Sequence, residues 1–446
     1  MAELRRVLGS FDATCVVVGA IVGVGIFFVP SRVAGLVGDG DLALLTWAIA
    51  GAIAMLGALT FAELGGAYPR TGGQYEILRD AYGAAIGFVY VFCNATAIQS
   101  GAIAVIALVC ASFTAVAVTG EFPGPAATSG LAVALVVGLA IANAIGVRWG
   151  ARIQNATTIA KVATLMFVGA VALFHEGAPA VEAAPSTASA SPWTAVLAGL
   201  VPTLFAFGGW QQALWISGEV RRPERTVPIA ILVGVAIVVA VYVLANWAYL
   251  HLLGHAGVAG SQALAADAVA MAVGESGRRA VACAVAISAF GVLNVQLLTG
   301  PRLIYAVAED GRFPKIFARV HARTATPIPA IAVLAGNAVA LLLLAGEKGI
   351  DRLLTGIVLV DGMFFALTGL ASLVIARRRP RADRPIRMPG WPIVPLLFVL
   401  AEVGVCVGAF LDPKVRSAAT IAVAWVAVAA LLYAVRFSRR GPPTQP

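Results

Sequence analysis

The sequence has 446 residues, of which 60% are hydrophobic and only 12% are charged. Soluble domains contain about 25% charged residues, so this composition excludes an ordinary water-soluble protein. The net charge of +9 does not indicate nucleic-acid binding, because the basic residues fall in short clusters between apolar runs of about 20 residues, the length that crosses the ~30 Å core of a bilayer. The five cysteines lie inside apolar runs without metal-ligand spacing, so no disulfide framework, metal or cofactor is expected.

Twelve apolar runs predict an all-α integral membrane protein with twelve transmembrane helices. They lie at residues 12–34, 42–64, 84–118, 129–147, 153–174, 194–217, 227–252, 279–306, 327–345, 351–376, 391–410 and 417–436. The charged residues 1–10 and the long first run do not resemble a cleavable signal, which has a short apolar segment that ends in a cleavage site.

The basic residues predict the orientation of these spans. Most of the 31 lysines and arginines lie at the N-terminus and in every second loop, at residues 5–6, 70–79, 148–152, 221–225, 302–323, 377–387 and 436–440. By the positive-inside rule this side, with both termini, is predicted to be cytoplasmic, and the protein is expected in the inner (plasma) membrane. The Ala/Pro/Ser-rich residues 177–193 are predicted to be a flexible linker on the other side.

Glycines interrupt two spans where a membrane helix should be regular: Gly23 and Gly25 in the first span, and Gly208 and Gly209 in the sixth. Freed backbone groups cost several kcal/mol in a bilayer, so an unwound stretch is expected where it lines a cavity. Glycine also allows close helix packing, but matching interruptions in two halves indicate a transporter binding site. Free N–H groups at a helix start suit a carboxylate, and free carbonyls suit an ammonium, so a small zwitterion such as an α-amino acid is predicted.

Lys161 is the only basic residue well inside a span. Because a buried ammonium is costly, we interpret it as a proton carrier or as a fixed cation in place of a bound ion. Snorkelling is disfavoured, since Lys161 lies ~12 Å into the helix. Glu63 and Glu219, at the ends of spans, are interpreted as partners of the arginine clusters rather than as proton carriers. Asp361 is the clearest acid within a span and has no evident partner.

Five motifs occur in order along the chain. They are GxGIF at 23–27, YPRTGGQY at 68–75, FAFGGW followed by GEVRRPERTVPIAI within 205–231, VYVLANWAY at 241–249 and GPRLIYAVAEDGRFP at 300–314. With these motifs the chain resembles, from end to end, the amino acid-polyamine-organocation superfamily and, within it, the L-type amino acid transporter family. The resemblance implies a leucine-transporter-like fold, with inverted five-helix repeats in residues 1–176 and 194–376, a basic loop at 377–390, and two further helices with the tail in 391–446.

The resemblance also implies a set of substrate-binding residues. The substrate carboxylate would meet the backbone N–H groups of Val24, Gly25 and Ile26. The ammonium would meet the carbonyls of Ile21, Phe205 and Gly208. Phe205 is similar to the aromatic gate above the substrate in relatives. Gln211 and Tyr242 match polar positions near the site, although an interhelical hydrogen bond is an equal alternative for each.

In relatives, the lysine that Lys161 matches takes the place of a sodium ion. The resemblance implies that Lys161 reaches Gly19 and Ser288 and ties the first span to the eighth, with small-residue packing as the alternative for Ser288. Two departures matter. Val24 stands where relatives often have Ser or Ala, so the carboxylate must rely on backbone donors. The loop at 119–130 has no cysteine, whereas animal members pair with a glycoprotein through one, so no heavy-chain partner is expected and the chain is similar to prokaryotic members.

The expected function is sodium-independent secondary transport of neutral L-amino acids by exchange, through alternating access. The implied site contains no charged group for a second substrate charge, which favours neutral side chains. Proton-coupled uptake of amino acids or amines, with Lys161 titrating, is the alternative within transport. A sensor that binds its ligand without moving it is an alternative of a different class. A membrane enzyme is disfavoured, because no catalytic constellation is visible.

Overall fold

The structure is a computed structural model that describes residues 6–121, 123–177, 192–261, 263–345, 350–378, 380, 384–411 and 416–437. Over these residues the regular structure is helical, and the one β-type contact is an isolated bridge between Leu8 and Val220. The α-helices are α1 (Ser10–Ile21), α2 (Gly25–Val37), α3 (Gly40–Ala67), α4 (Gly73–Tyr82), α5 (Ala84–Cys93), α6 (Gln99–Thr119), α7 (Pro125–Ile145), α8 (Val147–Phe174), α9 (Pro192–Phe207), α10 (Gln212–Trp215), α11 (Pro223–Gly260), α12 (Leu264–Val273), α13 (Glu275–Glu309), α14 (Ile328–Ala345), α15 (Ile350–Arg378), α16 (Ile393–Leu411) and α17 (Arg416–Arg436).

Ten helical segments of the described chain are long and apolar enough to cross a membrane. They are Ser10–Val37, Gly40–Ala67, Ala84–Thr119, Pro125–Ile145, Ala151–Phe174, Pro192–Trp215, Pro223–Gly260, Glu275–Glu309, Leu359–Arg378 and Ala419–Arg436. Shorter apolar helices at Ile328–Leu344 and Ile393–Val407 coincide with two more predicted runs. The prediction of an all-helical, multi-pass membrane protein is confirmed, and the count of twelve stays a prediction.

The predicted cytoplasmic loops contact one another at one end of the helix bundle. We call this end, which includes Leu8, Arg302 and Arg384, the basic end. There Arg302 of α13 forms a fully buried ion pair with Glu219, which follows α10, at 2.7 Å. Arg384, between α15 and α16, pairs with Glu63 of α3 at 2.5 Å. The N–H of Leu8 donates to the carbonyl of Glu219 at 2.9 Å. These contacts confirm that both glutamates pair with arginines, and they fit helices that alternate in direction.

The third candidate span contains a feature that the sequence did not predict. A π-helix at Asn94–Ile98 joins α5 to α6. A π-helix widens the helix by one residue per turn and is frequent at functional sites. Ile98 and the following Gln99 line a cavity between the helices, so the irregular turn borders the site described next.

Candidate functional site

Both predicted helix interruptions are present in the structure. In the first span, α1 ends at Ile21 and α2 begins at Gly25. In the sixth span, α9 ends at Phe207 and the short α10 begins at Gln212. The glycines identified from the sequence lie inside or beside these breaks, so this part of the prediction is confirmed.

The two breaks contact each other through backbone atoms. Gly209 has a φ of 131°, and a Cβ there would lie 2.8 Å from the carbonyl carbon and oxygen of Ala20. A Cβ at Gly25 would lie 3.2 Å from the Cβ of Ala206. Only a residue without a side chain allows the approach at position 209. The first and sixth spans therefore form one joint site.

A cavity of about 120 Å³ lies beside the two breaks, which is space for a small molecule rather than for a single water. The sequence-predicted residues that line it are Ile21, Val24, Gly25, Phe205, Gly208 and Gln211. The side chains of Ile26 and Tyr242 are fully buried and are not part of its lining. The structure thus brings six of the eight predicted substrate-binding residues to one cavity.

The start of α2 offers hydrogen-bond donors to this cavity. The first N–H groups of a helix have no carbonyl partner within it. Among the hydrogen bonds of the described residues, none uses the N–H of Val24, Gly25 or Ile26. These donors coincide with the positive end of the helix dipole, so this point of the cavity suits an anion.

The carbonyls predicted to bind an ammonium differ in their free capacity. The Ile21 oxygen already accepts from the N–H of Gly23 at 2.7 Å and from the hydroxyl of Tyr242 at 2.8 Å. A carbonyl has two lone pairs, so the predicted role of Ile21 does not fit this structure. The Phe205 oxygen accepts one hydrogen bond, from the N–H of Gly208 at 3.1 Å. The carbonyls of Phe205 and Gly208 retain capacity for a cation.

Of the two predicted polar side chains, Gln211 lines the cavity and Tyr242 does not. The Tyr242 hydroxyl donates to the Ile21 carbonyl and lies 3.3 Å from the carbonyl of Ala206, so it links the ends of α1 and α9. It therefore matches the interhelical alternative stated for it. The Gln211 side chain accepts from the N–H of Gly209 at 3.0 Å and also lines the cavity, so it stabilises the second break at the edge of the site.

Lys161 binds the first break. Its side chain is fully buried, and its Nζ donates to the carbonyl of Gly19 at 3.0 Å and to that of Val22 at 2.8 Å. The contact with Gly19 is as predicted. The predicted contact with Ser288 is not made, because the Ser288 hydroxyl is buried without a hydrogen-bond partner in the described chain. The ammonium instead satisfies two carbonyls at the end of α1, where the helix leaves its last carbonyls without intrahelical partners.

The cavity is also lined by two acidic residues, Asp361 of α15 and Glu402 of α16. The sequence analysis did not assign either residue to the site. The implied site was drawn from the two broken helices, so it did not include these acids, which come from helices that only tertiary packing brings beside them. A carboxylate inside each apolar run was the available signal.

A multi-pass helical protein with a cavity between two broken helices has the architecture of a secondary transporter. The chain belongs to the amino acid permease family, which residues 8–437 match. It is 31% identical over 413 residues to the human b(0,+)-type amino acid transporter 1, covering 90% of this chain and 82% of the relative. It is 30% identical over 409 residues to the mouse Asc-type amino acid transporter 1, covering 89% of this chain and 75% of the relative.

A third relative is the human large neutral amino acids transporter small subunit 2, which is 30% identical over 410 residues, 89% of this chain and 74% of the relative. These matches confirm the resemblance to the amino acid-polyamine-organocation superfamily and its L-type family. The prediction of a transporter rather than an enzyme is confirmed as well, because the family and these relatives are transporters.

Proposed function

We propose that this protein is a sodium-independent exchanger of neutral L-amino acids in the plasma membrane, with both termini in the cytoplasm. The observation that carries the proposal is the meeting of two helix breaks at one cavity, with free N–H groups and free carbonyls beside it. The similarity to transporters named for amino acids, one of them for large neutral amino acids, supports the same substrate class.

The backbone supplies the contacts to the zwitterion. The substrate carboxylate binds the N–H groups of Val24, Gly25 and Ile26 at the start of α2. The substrate ammonium binds the carbonyls of Phe205 and Gly208. The Phe205 side chain, which lines the cavity, is the aromatic gate that closes over the substrate. Because these contacts come from two different spans, a bound substrate ties the two breaks together.

Lys161 supplies the fixed positive charge that makes a sodium ion unnecessary. Its ammonium lies on the carbonyls of Gly19 and Val22, which are the type of hard oxygen ligands that a sodium ion would take. The charge is covalently attached to α8, so no ion has to bind before the substrate does. Proton coupling through this lysine is the alternative, and transport under a pH gradient separates the two.

The proposed architecture has twelve spans, with α14 and α16 crossing the membrane in addition to the ten longer segments. Residues 1–176 and 194–376 are proposed as inverted repeats, and most of the linker predicted at 177–193 lies outside the described residues. The loop 377–390 and the helices in 391–446 complete the chain. The breaks support this division, since they lie in the first span of each repeat. Alternating access follows as the broken helices move against the others. No heavy-chain partner is proposed.

The test is amino acid exchange by the purified chain in proteoliposomes, in sodium-free buffer. Unlabelled amino acids are trapped inside one at a time, and uptake of a labelled neutral amino acid is measured. We expect stimulation by internal neutral amino acids without a sodium or proton gradient. Accumulation driven by a pH gradient into empty vesicles would establish proton coupling instead. Binding of the label without any counterflow would establish a sensor.

A matched pair of glycine variants links the exchange to the first break. Gly25→Val is expected to abolish exchange, because its side chain presses on Ala206 and blocks the backbone donors. Gly138→Val, in α7, has no atom within 4 Å of its Cβ position and serves as the control. Exchange by a monodisperse Gly25→Val protein at the control rate would remove α2 from the site.

A further inference from the structure

Three exposed arginines lie at the basic end, where α11 begins. They are Arg221, Arg222 and Arg225, and none of them forms an ion pair with a described residue. Glu224, the acid between them, is only partly exposed. The surface of this segment therefore carries a net positive charge.

Other arginines of the basic end have partners within the protein. Arg302 and Arg384 pair with buried glutamates, and Arg312 donates to the hydroxyl of Tyr433 at 2.9 Å. The three arginines at the start of α11 hold no such contact and lie within five residues of one another. Like charges at this spacing repel one another, so an anion that they share would stabilise this surface.

A fourth exposed arginine comes from the segment before α1. Leu8 forms the isolated bridge with Val220, and the N–H of Arg221 donates to the Leu8 carbonyl at 2.9 Å. Arg6 is exposed and lies two residues before Leu8, which is at most about 7 Å of chain. Arginines from the segments that flank both broken spans thus stand close to one bridge. We call these four residues the arginine cluster.

An exposed apolar stripe continues from this cluster along α11. Ile229, Val233 and Ile237 are 51%, 45% and 37% exposed. They follow Arg225 at one-turn intervals, so all four residues lie on one face of the helix. From Arg225 to Ile237 the helix rises about 18 Å, which is close to half of the ~30 Å hydrocarbon core. The stripe therefore has the length of an acyl chain in one leaflet.

The order of charge and apolar surface along one helix indicates the kind of ligand. Guanidinium groups form paired hydrogen bonds with phosphate oxygens, and basic residues beside a membrane attract anionic lipids. A soluble phosphate compound would use the arginines alone. A phospholipid uses both features, because its headgroup lies at the membrane surface and its chain lies along the hydrocarbon-facing side of the helix.

We propose that the arginine cluster binds the headgroup of an anionic phospholipid, whose acyl chain lies along the apolar stripe of α11. Only the choice of leaflet rests on the proposed function: with both termini in the cytoplasm, the lipid belongs to the cytoplasmic leaflet. The headgroup contacts the segments that flank both broken spans, so the bound lipid holds these segments together at the basic end.

Lipid binding by the purified full-length protein tests the proposal. Dioleoylphosphatidylglycerol and dioleoylphosphatidylcholine have the same chains, and only the first carries a net negative charge. Each is titrated into the protein in detergent, and native mass spectrometry measures the lipid-bound fraction. We expect phosphatidylglycerol to bind at least tenfold more tightly, because each arginine contributes about fivefold. The preference should decrease as the ammonium acetate concentration rises.

Two triple variants remove the same charge from the same predicted side of the membrane. They are Arg221→Gln/Arg222→Gln/Arg225→Gln and, as the control, Lys315→Gln/Arg319→Gln/Arg323→Gln, all at exposed positions. The first should weaken phosphatidylglycerol by ~10- to 100-fold and leave phosphatidylcholine within about threefold. The control should change neither lipid by more than about threefold, because the exposed face of the following α14 begins with the small Ala332 and Gly336. The comparison of the two lipids on the wild-type protein requires no variant.

Three outcomes would overturn the proposal. Phosphatidylglycerol could bind no better than phosphatidylcholine, or both triple variants could weaken it equally, which would attribute binding to net charge alone. In the third outcome sn-glycerol 3-phosphate displaces the lipid at equal concentration and identifies a soluble phosphate compound as the ligand. None of these measurements uses transport, so a failure of the proposed function is distinguishable from a failure of the lipid site.

Discussion

The close contact between the two helix breaks makes Gly209→Ala the sharpest test of the site. A Cβ at this position would lie 2.8 Å from the carbonyl carbon and oxygen of Ala20 and 3.1 Å from the nitrogen of Ile21. All three are backbone atoms, so no side-chain rotation can relieve the contact. The φ of 131° is also strained for any residue with a side chain.

The free-energy cost of Gly209→Ala is the sum of the backbone strain and the steric overlap. Backbone strain of this kind costs ~1–3 kcal/mol, and overpacking costs ~1–3 kcal/mol. Together they amount to ~2–6 kcal/mol, which is a factor of at least ~25 in an equilibrium constant. The variant must either separate the two breaks or lose part of its stability, and in both cases the cavity between them changes.

The assay compares the variant with Gly208→Ala, its immediate neighbour. A Cβ at Gly208 would lie 3.4 Å from the carbonyl oxygen of Phe205, an ordinary contact distance, so this control should cost less than ~1 kcal/mol. Both purified proteins are heated in detergent, and the fraction that remains monodisperse is followed. Amino acid exchange is compared between Gly209→Ala and the wild-type protein, because Gly208 itself lines the cavity. Wild-type melting and exchange in Gly209→Ala would refute the close approach of the two backbones.

Three further predictions concern side chains. Lys161→Ala leaves the two carbonyls of the first break without their charged donor, and exchange should fall by more than ~10-fold; an unchanged rate would show that the charge is dispensable. Tyr242→Phe removes the hydroxyl that links α1 to α9, and the half-saturating substrate concentration should rise by about tenfold, which titration of exchange measures. Arg302→Met leaves Glu219 buried without a partner and should destabilise the protein by ~3–5 kcal/mol. Adding Glu219→Gln should restore part of the melting temperature, and no recovery would contradict the pairing argument.

The helix breaks could be predicted because their cause is local. A glycine pair inside an apolar run weakens the helix wherever the chain goes, so its effect can be read without knowing the neighbours. The pairing of Glu63 and Glu219 could also be predicted, since each lies beside arginine-rich loops. The contact between Lys161 and Gly19, which the resemblance implied, is also present. A lysine in the middle of a membrane needs nearby oxygen atoms to accept its hydrogen bonds.

The remaining features depend on tertiary packing and could not be read from the sequence. Ile21 lines the cavity, but its carbonyl already accepts a hydrogen bond from Tyr242 of α11. Asp361 and Glu402 become part of the site only because α15 and α16 pack against each other. The short α12, with ten residues, lies between the predicted runs at 227–252 and 279–306 and is below the length that crosses a bilayer, so the search for spans did not predict it.

The bridge at the basic end joins the two broken spans outside the cavity as well. The N–H groups of Val7 and Leu8 both donate to the Glu219 carbonyl at 2.9 Å, and the N–H of Arg221 donates to the Leu8 carbonyl at 2.9 Å. These three hydrogen bonds join the segment before α1 to the segment after α10. If α1 tilts away from this end, three backbone hydrogen bonds must break or the segment after α10 must travel with it. These hydrogen bonds couple the movement of the two broken spans at this end. Deuterium uptake by the amides of Val7, Leu8 and Arg221 would report when the two segments separate.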